Sequence, residues 1–142
     1  MIIEKLMTRR VVSVSMDEKL SRLREIFEST RFHHILVVER GRLKGVISDR
    51  DLLKTLSPYL DTAAETAHDA ATLNHRAHQI MSRTPITIGP EADVHDAISL
   101  FNAHTISCLP VVRDDEVVGI LTWRDILRAL EARRQKMHPP AP

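Results

Sequence analysis

One pattern is written twice in this chain, and that duplication constrains the fold more than any other feature. Setting Met7 against Met81, an offset of 74 (81 − 7), aligns 7–56 with 81–130 over fifty positions without a gap. Ten pairs are identical: Met7/Met81, Arg9/Arg83, Phe27/Phe101, Val37/Val111, Val38/Val112, Gly45/Gly119, Arg50/Arg124, Asp51/Asp125, Leu53/Leu127 and Leu56/Leu130. Most other apolar positions exchange like for like, as in Val12/Ile86, Val14/Ile88, Ile35/Leu109 and Val46/Ile120. A repeat of this length is a whole supersecondary unit used twice, which predicts two copies packed about a pseudo-twofold axis. Function is then expected in the groove between them.

Each copy reads as strand, helix, strand, strand, helix. Val11 to Val14 and Ile86 to Ile88 alternate at the strand period and lead through a turn to Asp17 or Glu91. Leu20, Leu23 and Phe27, and Val94, Ala97, Ile98 and Phe101, then recur at helical spacing, so one face of each helix is core, with Phe27 and Phe101 in equivalent places. The runs Ile35-Leu36-Val37-Val38 and Leu109-Pro110-Val111-Val112 join Leu43 to Ser48 and Val117 to Thr122 through polar turns, which predicts two hairpins. A closing helix follows each, Arg50 to Leu56 and Arg124 to about Arg133, and Ser57-Pro58 stops the first. Thr62-Ala63-Ala64-Glu65 has the form of a capping box, which predicts a linker helix, and Asn74 starts a short helix ending at Ile80-Met81. The expected divisions are repeat 1 at 1–58, a helical linker at 59–76, repeat 2 at 77–133 and a disordered tail at 134–142.

Composition narrows the function classes. With 142 residues, 43% hydrophobic and 27% charged, the chain suits one compact globular domain in which the two copies share a core. Twenty basic against 19 acidic residues give a net charge of +1, which provides no global drive toward nucleic acid or a membrane. A single cysteine, Cys108, excludes an intramolecular disulfide framework and fits a reducing compartment, so the expected location is cytoplasmic. No apolar run approaches the ~20 residues that span a bilayer, and Met1 leads into no signal-peptide pattern.

The chemistry concentrates at two strand-to-helix junctions, Gly45-Val46-Ile47-Ser48-Asp49-Arg50-Asp51 and Gly119-Ile120-Leu121-Thr122-Trp123-Arg124-Asp125. One reading is a capping box, with Ser48 or Thr122 capping the helix and Asp51 or Asp125 reaching back. The other is a ligand site, in which hydroxyl and arginine meet an anion while the carboxylate accepts from a ribose diol. Capping does not require Arg50 or Arg124, yet both copies place one directly before the aspartate.

The ungapped duplication, Leu109-Pro110-Val111-Val112 and the two Gly-x-x-[Ser/Thr]-x-x-Asp junctions resemble a tandem pair of cystathionine-β-synthase (CBS) domains, a Bateman module, over about Met1 to Arg133. The resemblance implies an α/β (α+β) class: two pseudo-twofold-related β-α-β-β-α units packed through their sheets. It also implies clefts between the repeats for adenosine-containing ligands of the AMP, ADP or ATP class, with no further cofactor and a regulatory rather than catalytic role. Carried over residue by residue, one cleft joins Val12, Phe32 and His33 to Thr122, Arg124 and Asp125. The other joins Ile86, Ile106 and Ser107 to Ser48, Arg50 and Asp51. The aspartates would hold ribose hydroxyls, Thr122 and Arg124 would face ribose or phosphate, and Val12 with Phe32 would enclose the base. Arg10-Val11 and Leu36 stand where the second copy has Thr84-Pro85 and Pro110, so the two clefts need not be equal.

Other residues read as inert. His75 and His78 could share a helix face, but no carboxylate or cysteine completes a metal set, and Cys108 has no base to activate it. The leading expectation is a small-molecule sensor that signals in trans to a partner protein. The alternative is a ligand-independent dimerisation module. Leu52, Leu53 and Leu56, with Ile126, Leu127 and Leu130, exceed what one intramolecular contact covers, which predicts a homodimer.

Overall fold

In the computed structural model, which describes all 142 residues, the apolar positions build two cores, one in each of two compact units. One unit is Val12–Pro85; the other combines Met1–Val11 with Ile86–Pro142. The elements are α1 (Ile3–Leu6), β1 (Ser13–Val14), α2 (Leu20–Ser29), β2 (His34–Glu39), β3 (Arg42–Ser48), α3 (Asp49–Thr55), α4 (Ala67–Ala71), α5 (Ala77–Ile80), β4 (Ser82–Arg83), α6 (Val94–Ala103), β5 (Cys108–Arg113), β6 (Glu116–Thr122) and α7 (Trp123–Met137). The fold class is α+β.

In the unit Val12–Pro85 a four-stranded sheet runs in the order β1-β2-β3-β4, parallel between β1 and β2 and antiparallel elsewhere. Leu20 and Leu23 of α2, Ile35 and Val37 of β2 and Ile47 of β3 are fully buried together. Each such side chain contributes about 1.5–3 kcal/mol by leaving water. The second unit reproduces the scheme: Val94 and Ala97 of α6 pack with Leu109, Val111 and Leu121 of the β5–β6 hairpin. Both hairpins turn through two consecutive residues at positive φ, Arg40 (52°) with Gly41 (78°) and Asp114 (50°) with Asp115 (66°). Such a turn matches strand twist, and Asp tolerates the left-handed region better than most residues.

Each unit is completed by the opening segment of the other repeat. Thr8 bridges antiparallel to Ile120, and 74 positions later Ser82 pairs with Val46. Ile3 and Glu4 donate their amides to Ala92 and Pro90 at 2.9 Å each, just as Ala77 and His78 donate to Glu18 and Met16 at 2.8 and 3.0 Å. Met7 and Met81 then lie over Gly119 and Gly45, where a Cβ would stand only 2.7 and 2.5 Å from the methionine sulfurs. The repeat boundaries in sequence and the packing boundaries in space are therefore different. The glycine that opens each junction motif is required by this close passage.

The expected shared core is replaced by one core in each unit, and three further expectations need correction. The linker helix begins not after Thr62 but at Ala67, because Thr66 and Asp69 make the capping box and Ser57 adds a 2.7 Å hydrogen bond to Asp69. Together these donors hold the Asp69 carboxyl below its ordinary pKa, the Ser57 hydroxyl contributing most. The short helix before Met81 starts at Ala77 rather than Asn74, which instead ends a 3-10 turn at Thr72–Asn74, and His75 and Arg76 lie between the two. The closing helix α7 runs to Met137, beyond the expected Arg133, since Leu130 to Met137 contains no helix breaker.

Phe27 and Phe101 also differ. Phe101 is buried, with the Trp123 ring 4.8 Å from its own, whereas Phe27 is half-buried and borders an open groove. The repeat places Asp49 where the second copy has Trp123. A carboxylate cannot cover the aromatic face.

Candidate functional site

Both junctions are capping boxes. At the first, Asp51 N donates to Ser48 Oγ at 3.1 Å and Ser48 N donates back to Asp51 Oδ2 at 2.8 Å. At the second, Asp125 N donates to Thr122 Oγ1 at 3.4 Å, and Thr122 N and Oγ1 donate to Asp125 Oδ2 at 2.9 and 3.2 Å. Each strand runs directly into its helix, so the hydroxyl satisfies an amide that has no partner within the helix. Capping explains the hydroxyl and the carboxylate but leaves the arginines unexplained. Arg50 and Arg124 are both exposed, and neither pairs with an acidic side chain.

The remaining expected residues divide between the units. Val12, Phe32, His33, Ser48, Arg50 and Asp51 belong to Val12–Pro85, and Ile86, Ile106, Ser107, Thr122, Arg124 and Asp125 to the other unit. Within the first, the Val12 carbonyl accepts from Leu36 N at 2.9 Å, which holds it on the sheet edge. The His33 carbonyl accepts from Asp49 N at 3.0 Å and its ring Nδ1 lies 2.9 Å from Asp49 Oδ2, so the segment before β2 is tied to the start of α3. His34, half-buried beside them, is held below its ordinary pKa chiefly by burial, with the nearby Asp49 and Asp51 opposing that shift. Within the second unit, Ile86 and Ile106 pack at the margin of the core, and Ser107 is the exposed residue before β5. No group of three or more His, Cys, Asp or Glu side chains is arranged to hold a metal ion.

Two features escape the sequence reading. Thr8 Oγ1 donates to Asp125 Oδ1 at 3.1 Å, which brings an unexpected residue to the second junction. The hydroxyl pair Thr8/Ser82, in register behind Met7/Met81, was the available signal. The other is a groove of about 720 Å³ in the unit Val12–Pro85, lined by Phe27, Phe32, Leu52, Leu53 and Leu56 with His33 and Asp49 at its edge. It lies on the helical side of that unit, and Phe32 and His33 border it.

The CBS domain family matches this chain at residues 3–58 and 77–132. A CBS domain-containing protein of Dictyostelium discoideum is 30% identical over 132 residues, covering 91% of this chain and 90% of the relative. The structure is similar to the CBS domain pair of protein MJ0100 in complex with 5′-methylthioadenosine and S-adenosyl-L-methionine, with a TM-score of 0.77, 22% identity and coverage of 94% and 98% of the two chains. It is equally similar to CBSX2 in complex with AMP, with a TM-score of 0.77, 24% identity and coverage of 94% and 98%. At such identities the likeness speaks to the fold.

Proposed function

The chain belongs to the CBS domain family, and on that premise we propose that it is a regulatory module binding adenosine-containing ligands of the AMP, ADP or ATP class, without catalytic activity of its own. The observation that carries the reading is the pair of junctions, each offering a carboxylate beside an arginine that no acidic side chain engages. That the CBS pairs MJ0100 and CBSX2 hold adenosine compounds supports the ligand class. In this proposal Asp51 and Asp125 accept from ribose hydroxyls, Arg50 and Arg124 approach phosphate, and Ser48 and Thr122 face the sugar. Val12, Phe32, Ile86 and Ile106 enclose bases, while His33 and Ser107 border the ligands.

The test is calorimetric titration with AMP, ADP, ATP and S-adenosylmethionine, repeated on Asp51→Asn and Asp125→Asn with thermal melting in parallel. Losing a charged acceptor costs ~1.5–3 kcal/mol, so each substitution lowers affinity at its own junction about tenfold or more. A pure capping role instead lowers stability by ~0.5–2 kcal/mol and leaves affinity unchanged. Wild-type protein that binds none of the four compounds refutes the reading.

The sensor is proposed to act as a homodimer in the cytoplasm and to pass its response in trans to an effector protein. Co-purification with and without the best ligand tests that step. One observation favours ligand-independent dimerisation as a second reading: Leu53, Leu127 and Leu130 stand 72%, 61% and 47% exposed on α3 and α7. Sedimentation of Leu127→Glu separates the two, since loss of the dimer with retained nucleotide binding leaves the sensor reading standing.

A further inference from the structure

The two carboxylates that the repeat makes equivalent are not equally occupied. Asp125 accepts three hydrogen bonds: from Thr8 Oγ1 on Oδ1 at 3.1 Å, and from Thr122 N and Oγ1 on Oδ2 at 2.9 and 3.2 Å. Asp51 accepts one side-chain-directed bond, from Ser48 N on Oδ2 at 2.8 Å. Ser82, which the repeat sets opposite Thr8, makes no bond to Asp51. Burial follows the same order, with Asp125 only 9% exposed and Asp51 half-buried.

A carboxylate has about four lone-pair positions. Asp125 therefore retains about one and Asp51 about three. The cis diol of a ribose presents two hydroxyl donors, which Asp51 can accept together without rearrangement. At Asp125 the second hydroxyl finds its place taken. Thr8 is able to hold that position because Met1–Val11 packs into the unit of the second junction, where the two 2.9 Å backbone bonds between Thr8 and Ile120 fix it.

Building on the nucleotide reading above, we infer that Thr8 is a specificity-determining residue: by occupying Asp125 it makes the second junction the weaker ribose site and one that accepts a single hydroxyl. The Asp51 junction fills first and discriminates ribose from deoxyribose. The Asp125 junction fills later and does not. The chain thus reads adenosine concentration over two ranges rather than one. Thr8 acts by competing for an acceptor atom, so removing its hydroxyl strengthens binding instead of weakening it.

The experiment titrates AMP and 2′-deoxy-AMP into wild-type protein, Asp51→Asn, and Asp51→Asn with Thr8→Val. Valine keeps the shape of threonine and removes the donor. Expected in Asp51→Asn is loss of the tight, ribose-preferring phase, leaving binding with nearly equal affinity for the two nucleotides. Adding Thr8→Val should raise AMP affinity about tenfold and create a similar preference over 2′-deoxy-AMP, the effect of one regained charged hydrogen bond. Thermal melting of the nucleotide-free variants reports any purely structural loss separately. If wild-type protein binds AMP but Thr8→Val weakens that binding or leaves the deoxy preference unchanged, Thr8 orients Asp125 rather than blocking it and this inference falls while the sensor reading stands. If wild-type protein binds neither nucleotide, both fall.

Discussion

Replacing Gly119 by alanine tests whether the opening segment of the first repeat really completes the second unit. The added Cβ would lie 2.7 Å from Met7 Sδ and 2.9 Å from the Thr8 carbonyl oxygen. The sulfur belongs to a flexible chain and can move. The carbonyl cannot do so cheaply, because Thr8 exchanges two backbone hydrogen bonds with Ile120 at 2.9 Å and its hydroxyl is anchored on Asp125. Overpacking of this kind costs ~1–3 kcal/mol, and losing one of the bridging bonds adds ~1 kcal/mol. For a chain of this size the total of ~2–4 kcal/mol lowers the melting temperature by about 5–15 °C. Gly89→Ala is the control, since a Cβ there meets nothing within 4 Å and its φ is not positive. That variant should melt within ~2 °C of wild type or slightly above it. The assay is thermal denaturation followed by far-UV circular dichroism, with urea unfolding as a second measure. If Gly119→Ala is as well tolerated as Gly89→Ala, Met7 and Thr8 do not pass across the β5–β6 hairpin, and the exchange of opening segments is wrong.

Three further outcomes follow from the packing and the half-buried imidazole. Trp123→Ala removes the ring lying 4.8 Å from Phe101 and should destabilise by ~1–3 kcal/mol in urea, while Asp49→Trp, which supplies the missing cover over Phe27, should stabilise; an Asp49→Trp variant weaker than wild type would contradict the groove's origin. His34, whose pKa in the folded chain lies below its ordinary 6.5 because of burial, binds a proton more readily when unfolded. Its contribution to stability is therefore complete above about pH 6.5 and is lost as the pH falls through the folded value, so stability should drop between pH 7.5 and 5.5 more in wild type than in His34→Gln. Equal pH dependence in the two proteins would remove His34 from the account.

The secondary structure was largely legible because its determinants sit within a few residues of one another. Leu20 and Leu23, Val94 and Ala97, and the two hairpin runs occupy the core at the periods read from the chain. The junction boxes Ser48–Asp51 and Thr122–Asp125 were likewise visible, since each partner is three positions away. Where local reading failed, a competing local pattern or a distant donor decided the result. The sequence reading takes Thr62 as the N-cap; in the structure Thr66 caps the helix, and Ser57, twelve residues from Asp69, adds its hydrogen bond there.

The sequence by itself determined that a single unit occurs twice, which faces of its helices and strands are apolar, and where a hydroxyl, an arginine and a carboxylate stand together at each helix start. These are matters of periodicity and short spacing, and they follow from the geometry of one helix turn or one strand pleat. Only the tertiary structure decided which opening segment completes which unit, that Gly119 must lack a side chain for Met7 and Thr8 to pass, and that Trp123 covers Phe101 while Asp49 leaves Phe27 open. It also separated Asp125 from Asp51, because the bond from Thr8 spans 117 positions of sequence. Two motifs of one pattern become unequal when a residue from far along the chain takes an acceptor atom in one of them, and no pattern within either motif records that contact.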